Sequence, residues 1–286
     1  GKSADEIRAA LQQSMAEGFR PTLAIVFISI KQDRAVISDL LYQHNIDVFG
    51  STSCGEFING YQSKGEIVIL LLDINREYYT ILIEEVKNAG VEKAASHLAE
   101  KALRHFKSPT FLLSSNGVYE NGQYFDGDTL VKTLVRELGD ECVFFGGMAG
   151  DDWGIMNSYV FTHQKESGNA IAALVFDAEK ISLHGMATHG WKPLGIARKV
   201  TKSSGNKVYS IDEKPAAELY LKYLGMAEKT GDESFDIFKD LSVHYPFIAK
   251  RKDGETIIKS PRSIDKESGA LIMDIEMEEG SEFHFT

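Results

Sequence analysis

Hydrophobic residues along the first half of the chain alternate between helical and strand-like spacing in a regular order. Apolar positions at helical spacing predict a helix over residues 5–18, which ends at a glycine and precedes the apolar stretch TLAIVFISI. A second helical pattern covers residues 33–45 and leads into the short strand IDVFG. Two strands rich in branched and aromatic residues follow over 66–73 and 77–86.

The same order of elements recurs in the next part of the chain. The pattern predicts helices over 91–106 and 128–140, and strands over 110–115, 141–147, 169–177 and 180–188. In this comparison Thr22 aligns with Thr110, Gly50 with Gly146, and Asp73 with Asp177. We interpret the recurrence as an internal duplication, with units over about residues 20–87 and 108–190.

The order of elements also predicts the fold class. A strand, a helix and another strand in succession indicate a parallel crossover, whereas closely spaced strands favour antiparallel pairing. Strands such as IVILLL are apolar on both faces, so each sheet needs helices on one side and further protein on the other. We therefore expect an α/β protein whose mixed sheets are built from two related units, with helices packed outside and the sheets stacked.

Two turns of small, polar residues follow equivalent strands of the two units. They read FGSTSCGE from Phe49 and FGGMAGDD from Phe145. Ligands of α/β proteins commonly bind at the carboxyl ends of such strands. Both turns are also compatible with ordinary tight turns, and this alternative stays open. The candidate ligand-binding residues, including those at the end of the 110–115 strand, are Ser51, Thr52, Ser53, Cys54, Glu56, Ser114, Ser115, Asn116, Gly147, Asp151 and Asp152.

Composition and charge narrow the class of protein. Hydrophobic residues make up 43% of the 286 positions, which is enough for a sizeable core. The net charge of −11 argues against nucleic acid or an anionic membrane as a partner. Apolar runs of about eight residues fall short of the ~20 that span a bilayer. The chain starts without an apolar secretory segment, so we expect a cytoplasmic protein. The basic run Lys250, Arg251 and Lys252 is interpreted as a solvated turn.

The candidate residues favour binding over catalysis. Cys54 beside Glu56 is a possible nucleophile, but the histidines are distant in sequence, so an enzyme remains the weaker alternative. His184 and His189 would point to opposite faces of a strand, which disfavours a metal site. Carboxylates of Asp151 or Asp152 suit an amine, while backbone N–H groups and hydroxyls of residues 51–53 and 114–116 suit a carboxylate. This combination favours a zwitterionic or cationic ligand, such as an amino acid or a polyamine.

The segment over residues 189–225, HGWKPLGIARKVTKSSGNKVYSIDEKPAAELYLKYLG, carries a family resemblance. Together with the two polar turns, it resembles the FIST (F-box and intracellular signal transduction) sensory domain from about residue 20 onward. The matching positions in this segment are Gly190, Trp191, Pro193, Gly195, Val200, Thr201, Gly205, Asn206, Val208, Tyr209, Ile211, Asp212, Pro215 and Ala216.

The resemblance implies a FIST N-like ligand-sensing region over 1–225 and the beginning of a FIST C-like region over 226–286. The later Cys, Arg and Gly-Glu motifs of the family are absent, so the second region is expected to be truncated. Bacterial members are similar to small-ligand sensors that sit alone or beside kinase, cyclase or chemotaxis output domains. The resemblance thus implies a small-molecule ligand, with amino acids among those proposed, and a signalling output partner. A homodimer is a further possibility that periodicity does not identify.

The resemblance also implies haem in a subset of members that respond to nitric oxide. His189 and His163 are the candidate axial ligands here, and without a CxxCH sequence any haem would be held non-covalently. No other cofactor is predicted. Trp191 either stacks on a ligand or packs over a strand end, and both readings stay open. Asp212 is expected to cap a helix that ends at Gly225, with Leu219, Tyr220 and Tyr223 in the core.

Overall fold

The computed structural model describes residues 1–119, 123–186, 188–229, 235–250 and 256–286, so Arg251 and Lys252 of the predicted basic turn lie outside the described residues. The chain divides into two compact units, Gly1–Met186 and Ala187–Thr286. The sequence-based division at residues 225 and 226 differs because it follows family motifs rather than compactness. Across the described residues, every helix is too short or too polar to span a bilayer.

The helices and strands of the first unit follow the predicted order closely. Its helices are α1 (Ala4–Met15), α2 (Arg34–Gln43), α3 (Gly90–His105) and α4 (Gly127–Leu138). Its strands are β1 (Leu23–Ser29), β2 (Asp47–Ser53), β3 (Glu56–Ile58), β4 (Tyr61–Ser63), β5 (Ile67–Leu72), β6 (Tyr79–Glu85), β7 (Pro109–Asn116), β8 (Phe144–Ala149), β9 (Val160–Phe161), β10 (Glu166–Ser167) and β11 (Ala170–Asp177). Short 3₁₀ turns cover Arg76–Tyr78 and Lys87–Ala89.

Helix starts in this unit use the side chains that local physics favours. Ser3, Asp33 and Asp126 each accept a hydrogen bond from a backbone N–H in the first turn of α1, α2 and α4. Helix α4 ends at Gly139, whose φ of 86° lies in the left-handed region that glycine adopts at little cost.

Two mixed sheets form the centre of the first unit. The first runs β10-β9-β2-β1-β5, with β1 parallel to β2 and antiparallel to β5. The second runs β6-β11-β7-β8, with β7 parallel to β8 and antiparallel to β11. The central pairings of the two sheets therefore match, while common ancestry of the two halves stays a prediction. Strand β6, which the sequence analysis grouped with the first half, pairs with β11 in the second sheet.

The layers of the first unit explain why its central strands are apolar on both faces. Helices α1 and α2 pack on the first sheet, and α3 and α4 pack on the second. The inner faces of the two sheets meet in a core that includes Leu23, Ile25, Phe49, Ala172 and Leu174. The predicted stacking of two sheets with helices outside is confirmed.

The strand predicted over 180–188 is wrong for the described residues of that range, which have no regular secondary structure. The reason is that β11 already has β6 on one side and β7 on the other, so no edge of β11 is free. The chain instead runs past Phe145: a Cβ added at Gly185 would lie 2.7 Å from that aromatic ring.

The second unit is built on one larger sheet and a single α-helix among its described residues. The elements are β12 (Leu194–Ser204), β13 (Lys207–Ile211), β14 (Lys214–Pro215), α5 (Ala216–Tyr223), β15 (Phe247–Lys250), β16 (Thr256–Lys259), β17 (Pro261–Ile264), β18 (Leu271–Met273) and β19 (Glu282–Phe285), with helical turns at Ala227–Lys229 and Phe238–Ser242. The strand order is β16-β15-β19-β12-β13-β18-β17, with β14 paired to β13. The buried core includes Tyr220, Phe247, Phe283 and Phe285.

Asp212 does not cap helix α5, contrary to the sequence-based expectation. Asp212 and Glu213 have φ of 49° and 61° and form the turn between β13 and β14, so the cap position falls to Pro215. The Asp212 carboxylate instead accepts hydrogen bonds from the Lys199 N–H and the Arg198 guanidinium, both at 3.0 Å. In α5, Tyr220 is buried as predicted, whereas Leu219 is half-buried and Tyr223 is 37% exposed.

Candidate functional site

The two polar turns are joined directly by backbone hydrogen bonds in the first unit. The Gly150 N–H donates to the Thr52 carbonyl at 2.9 Å, and the Asp152 N–H donates to the Ser53 carbonyl at 3.1 Å. The approach is close, since a Cβ added at Gly150 would lie 2.3 Å from Cys54 Sγ. Stacking of the sheets thus brings the carboxyl ends of β2 and β8 to one place.

Several predicted site residues are committed to holding this junction together. The Thr52 hydroxyl accepts from the Tyr159 N–H at 2.9 Å, and Ser51 is buried in β2 opposite Val160 of β9. The Asp151 carboxylate accepts three backbone N–H groups, from Ile155, Met156 and Asn157, at 2.9, 2.7 and 3.2 Å. Asp151 therefore shapes the loop that follows it and has little capacity left for a ligand.

The carboxylate of the neighbouring Asp152 has fewer hydrogen-bond partners. Its Oδ2 accepts from the Ser29 hydroxyl at 2.7 Å and lies 3.6 Å from Lys31 Nζ. The side chain is only 10% exposed, and its Oδ1 is buried without a hydrogen-bond partner. A buried carboxylate oxygen without a donor is costly, so this atom favours any group that brings an N–H or O–H.

A network of hydrogen bonds, here called the carboxylate network, joins Asp152 to Ser53, Glu56, Glu66 and Ser29. The Ser53 hydroxyl donates to Glu56 Oε1 at 2.5 Å, and the Glu66 N–H donates to Glu56 Oε2 at 3.0 Å. The Ser29 N–H donates to the Glu66 carbonyl at 2.9 Å, which completes the link back to Asp152.

The carboxylate network has an electrostatic consequence. It contains three largely buried carboxylates, and the cations that approach them at 3.6 Å or more are Lys31, Lys2 and the Gly1 amino group. Both lysine side chains are at least 70% exposed, so water screens their charges. The carboxylate network therefore suits an ammonium group or another hydrogen-bond donor, and disfavours a phosphate.

The predicted ligand-binding residues at the end of strand β7 pack within the sheet and bond to its neighbouring segments. Ser114 and Ser115 are buried between β8 and β11, opposite Gly147 and Met148 of β8. The Asn116 amide donates to the Ser158 carbonyl, and its Oδ1 accepts from the Ala170 N–H at 2.6 Å. Gly147 is exposed on β8, and a Cβ there would meet nothing within 4 Å.

The thiols of the chain give no arrangement typical of nucleophilic catalysis. Cys54 is half-buried and packs against Gly150, while both carboxylate oxygens of Glu56 accept hydrogen bonds from Ser53 and Glu66. Burial raises the pKa of the Cys142 thiol, which keeps it protonated near neutrality. Among the described residues, no cluster of three or more His, Cys, Asp or Glu is arranged to hold a metal ion.

Trp191 and the two candidate haem ligands are divided between the two compact units. Trp191 and His189 belong to the second unit, where the Trp191 indole donates to the His244 carbonyl at 3.0 Å. The His189 ring lies 5.8 Å from the Trp191 ring, and its Nδ1 is buried without a partner. His163, in the first unit, stacks on Tyr42 with ring centroids 4.6 Å apart.

Ser29, Lys31 and Glu66 are the residues that sequence reasoning missed. Ser29 ends β1, the parallel neighbour of β2, and Lys31 follows two positions later. The rule that ligands bind at the carboxyl ends of parallel strands applies equally to β1 and so contained a signal for Ser29 and Lys31. Glu66 had no comparable signal, because it precedes an antiparallel strand and reaches the network through backbone groups.

Comparison with known proteins supports the family resemblance seen in the sequence. The family model of the FIST N domain matches residues 22–214. An uncharacterized protein of Methanocaldococcus jannaschii is 24% identical over 209 residues, covering 70% of this chain and 40% of the relative, so the chain spans well under half of that relative's length. No solved structure gave a significant match. Because the family model covers more than half of the chain and both polar turns, the chain belongs to the FIST N domain family.

Proposed function

We propose that this chain is a cytoplasmic signal-transduction sensor domain that binds a small zwitterion, such as an amino acid, at the Asp152 carboxylate of the network. Membership of the FIST N domain family is consistent with a sensor role. The observation that carries the proposal is Asp152 Oδ1, a buried carboxylate oxygen without a donor at the junction of two polar turns.

The charges beside Asp152 support a zwitterion. The ligand ammonium supplies the missing donor to Oδ1, with a charge-assisted hydrogen bond that is stronger than a neutral one. Lys31 Nζ, 3.6 Å from Asp152 Oδ2 and on a side chain that is 76% exposed, is placed to take the ligand carboxylate. This assigns to Lys31 the role that the sequence analysis gave to backbone N–H groups and hydroxyls of residues 51–53 and 114–116.

The test is a calorimetric screen of the free amino acids against the chain and the variant Asp152→Asn. The amide keeps the shape of the side chain but removes its charge, so we expect binding to weaken about tenfold or more. Asp140→Asn, at an exposed position in the turn after α4, is the matched control and should bind like the parent. A screen without any binding, or equal affinities of the two variants, contradicts the proposal.

A second substitution separates the two ends of the ligand. Lys31→Met should weaken binding of the amino acid while leaving binding of the corresponding decarboxylated amine unchanged, because only the amino acid uses the Lys31 charge. Equal weakening of both ligands would show that Lys31 does not contact the carboxylate. The proposal involves binding without turnover, so a Cys54-dependent reaction is the weaker alternative.

Haem sensing is the second candidate, and one observation favours it. The buried His189 Nδ1 has no hydrogen-bond partner, which fits the role of an axial haem ligand. The partly exposed Trp191 ring lies beside His189 and offers apolar surface to the porphyrin. When bound, haem would supply an iron that takes up nitric oxide. An absorption spectrum after haem addition, with His189→Ala as comparison, tests this; a flat spectrum removes the candidate.

A sensor domain also needs a route for its signal. We propose an output partner of the kinase or cyclase type, or a second copy of the chain, as the recipient. Native mass spectrometry with and without the amino acid found in the screen measures whether ligand changes the assembly. A ligand-independent monomer would leave the output partner as the recipient.

A further inference from the structure

A cavity of about 320 Å³ lies beneath the β3–β4 hairpin of the first unit. Its lining residues come from α1, from the hairpin and from β5, together with Gly1, Leu41 of α2 and Glu66. Pockets that hold small molecules typically have volumes of about 300–1,000 Å³, are mostly apolar and contain a few polar groups. The size of this cavity suits a small organic molecule, and the chemistry of its walls defines which kind.

The walls of the cavity are largely apolar. Buried Ile7 and Leu11 of α1 face Ile67, Ile69 and Leu71 of β5. The rim is formed by Phe57, Ile58 and Tyr61 of the hairpin, which are 78%, 50% and 57% exposed. Burying three such side chains against a ligand is favourable, at about 25 cal/mol for each Å² of apolar surface removed from water. The cavity therefore favours a ligand with a hydrocarbon or aromatic body.

Glu66 is the one charged side chain among the described residues that line this cavity. Its carboxylate is 10% exposed, and its contacts are long: Tyr61 OH at 3.4 Å, Lys2 Nζ at 3.7 Å and the Gly1 amino group at 3.8 Å. A carboxylate that is removed from water gains most from a close cationic donor. Such a donor within hydrogen-bond distance, below about 3.2 Å, is what an entering ligand can add.

We propose that this cavity is a second binding site, which takes a primary amine with an apolar body. The ammonium group binds the Glu66 carboxylate, and the apolar body lies against β5 beneath Phe57, Ile58 and Tyr61. The site is separate from the amino acid site at Asp152, because Glu66 joins the carboxylate network through its backbone N–H and carbonyl groups and leaves its carboxylate to the cavity.

Calorimetry of the 286-residue chain with n-hexylamine, hexanoate and hexanol as probes tests the proposal. We expect hexylamine to bind at least about tenfold more tightly than either of the other probes, since only the amine pairs with Glu66. Glu66→Gln should remove this preference. Because Glu66 also lies in the hydrogen-bonded network, the second variant is Ala10→Phe, which fills the cavity from an exposed position on α1.

Matched controls make the result decisive. Ala9→Phe adds the same side chain at the adjacent exposed position of α1, which does not line the cavity, and should bind hexylamine like the parent. Equal affinity for hexylamine and hexanol, or unchanged binding to Ala10→Phe, would overturn the proposal. Asp152→Asn should leave hexylamine binding unchanged. Loss of binding in Asp152→Asn with full binding in Ala10→Phe would place the amine at the other site and also overturn it.

Discussion

Adjacent residues of one turn have opposite roles in this protein. The Asp151 carboxylate accepts three backbone N–H groups, whereas Asp152 Oδ1 has no partner. The difference comes from the main chain: Asp152 has a φ of 55°, which turns its side chain towards Ser29 while the following residues fold back over Asp151. The sequence alone does not predict this difference, because two adjacent aspartates offer the same hydrogen-bond acceptors.

Substitution of Gly150 tests whether the two polar turns must approach each other closely. An added Cβ would lie 2.3 Å from Cys54 Sγ and 2.9 Å from the Cys54 backbone N, so one turn has to shift. We expect Gly150→Ala to lower the free energy of unfolding by roughly 1–3 kcal/mol, as other overpacked sites do. Urea denaturation measures the change. Gly147→Ala is the control, since its Cβ meets nothing within 4 Å, and an equal loss in both variants would count against the close approach.

Strand β6 is one of the elements that connect the two sheets of the first unit. It pairs with β11 in the second sheet, and its Glu85 contacts Ser167 of β10, in the first sheet, at 3.0 Å. Lys165 Nζ lies 2.8 Å from the same carboxylate. Burial raises the pKa of Glu85, but the hydrogen bonds from Lys165 and Ser167 and the charges of Lys165 and Lys87 outweigh it and hold the pKa below its usual value.

The lowered pKa of Glu85 predicts a pH-dependent contribution to stability. A carboxylate whose pKa is lower in the folded state stabilises the fold above its unfolded pKa, and this contribution disappears as the pH falls through the folded value. Glu85→Gln should therefore lower the free energy of unfolding at pH 7 and have little effect near pH 3. Denaturation at both values measures this, with Glu17→Gln in the exposed segment after α1 as control. A deficit that persists undiminished at low pH would contradict the assignment.

At the scale of the whole molecule, the chain has two compact units with separate hydrophobic cores. The FIST N match over 22–214 extends across the boundary at Met186, so family motifs and compact units do not coincide. All residues of the carboxylate network belong to the first unit, while Trp191 and His189 belong to the second. The proposed amino acid site and the proposed haem ligand His189 therefore belong to different units.

Separate cores predict separate effects of core substitutions. Phe247 is fully buried in the second unit and stacks on Phe283 with ring centroids 4.4 Å apart. Phe247→Ala should destabilise that unit by about 3–5 kcal/mol while leaving the amino acid affinity of the first unit unchanged. Thermal denaturation and calorimetry on the same sample measure both quantities. Loss of affinity in a variant that is still folded would show that the second unit contributes to the site.

Local patterns predicted most of the first unit, because the periods of helices and strands are properties of the chain itself. They failed where a distant element decides the outcome. The strand expected over 180–188 cannot pair with β11, because β6 and β7 already occupy both edges of that strand, and the backbone turn at Asp212 prevents that residue from capping α5. The positions of the two turns were read from the sequence, but Ser29, Lys31 and Glu66 entered the site only through tertiary contacts.

The sequence by itself determined the order of helices and strands, the family and the two turns of small residues, since these depend on residue spacing and residue type. Only the tertiary structure decided that the Asp151 carboxylate is satisfied and that one oxygen of Asp152, Oδ1, is left without a donor. Hydrogen-bond capacity belongs to each residue, but its use depends on what other segments bring within about 3 Å. Asp151 was reached by three amides and Asp152 by one hydroxyl, and the proposed ligand site follows from that difference.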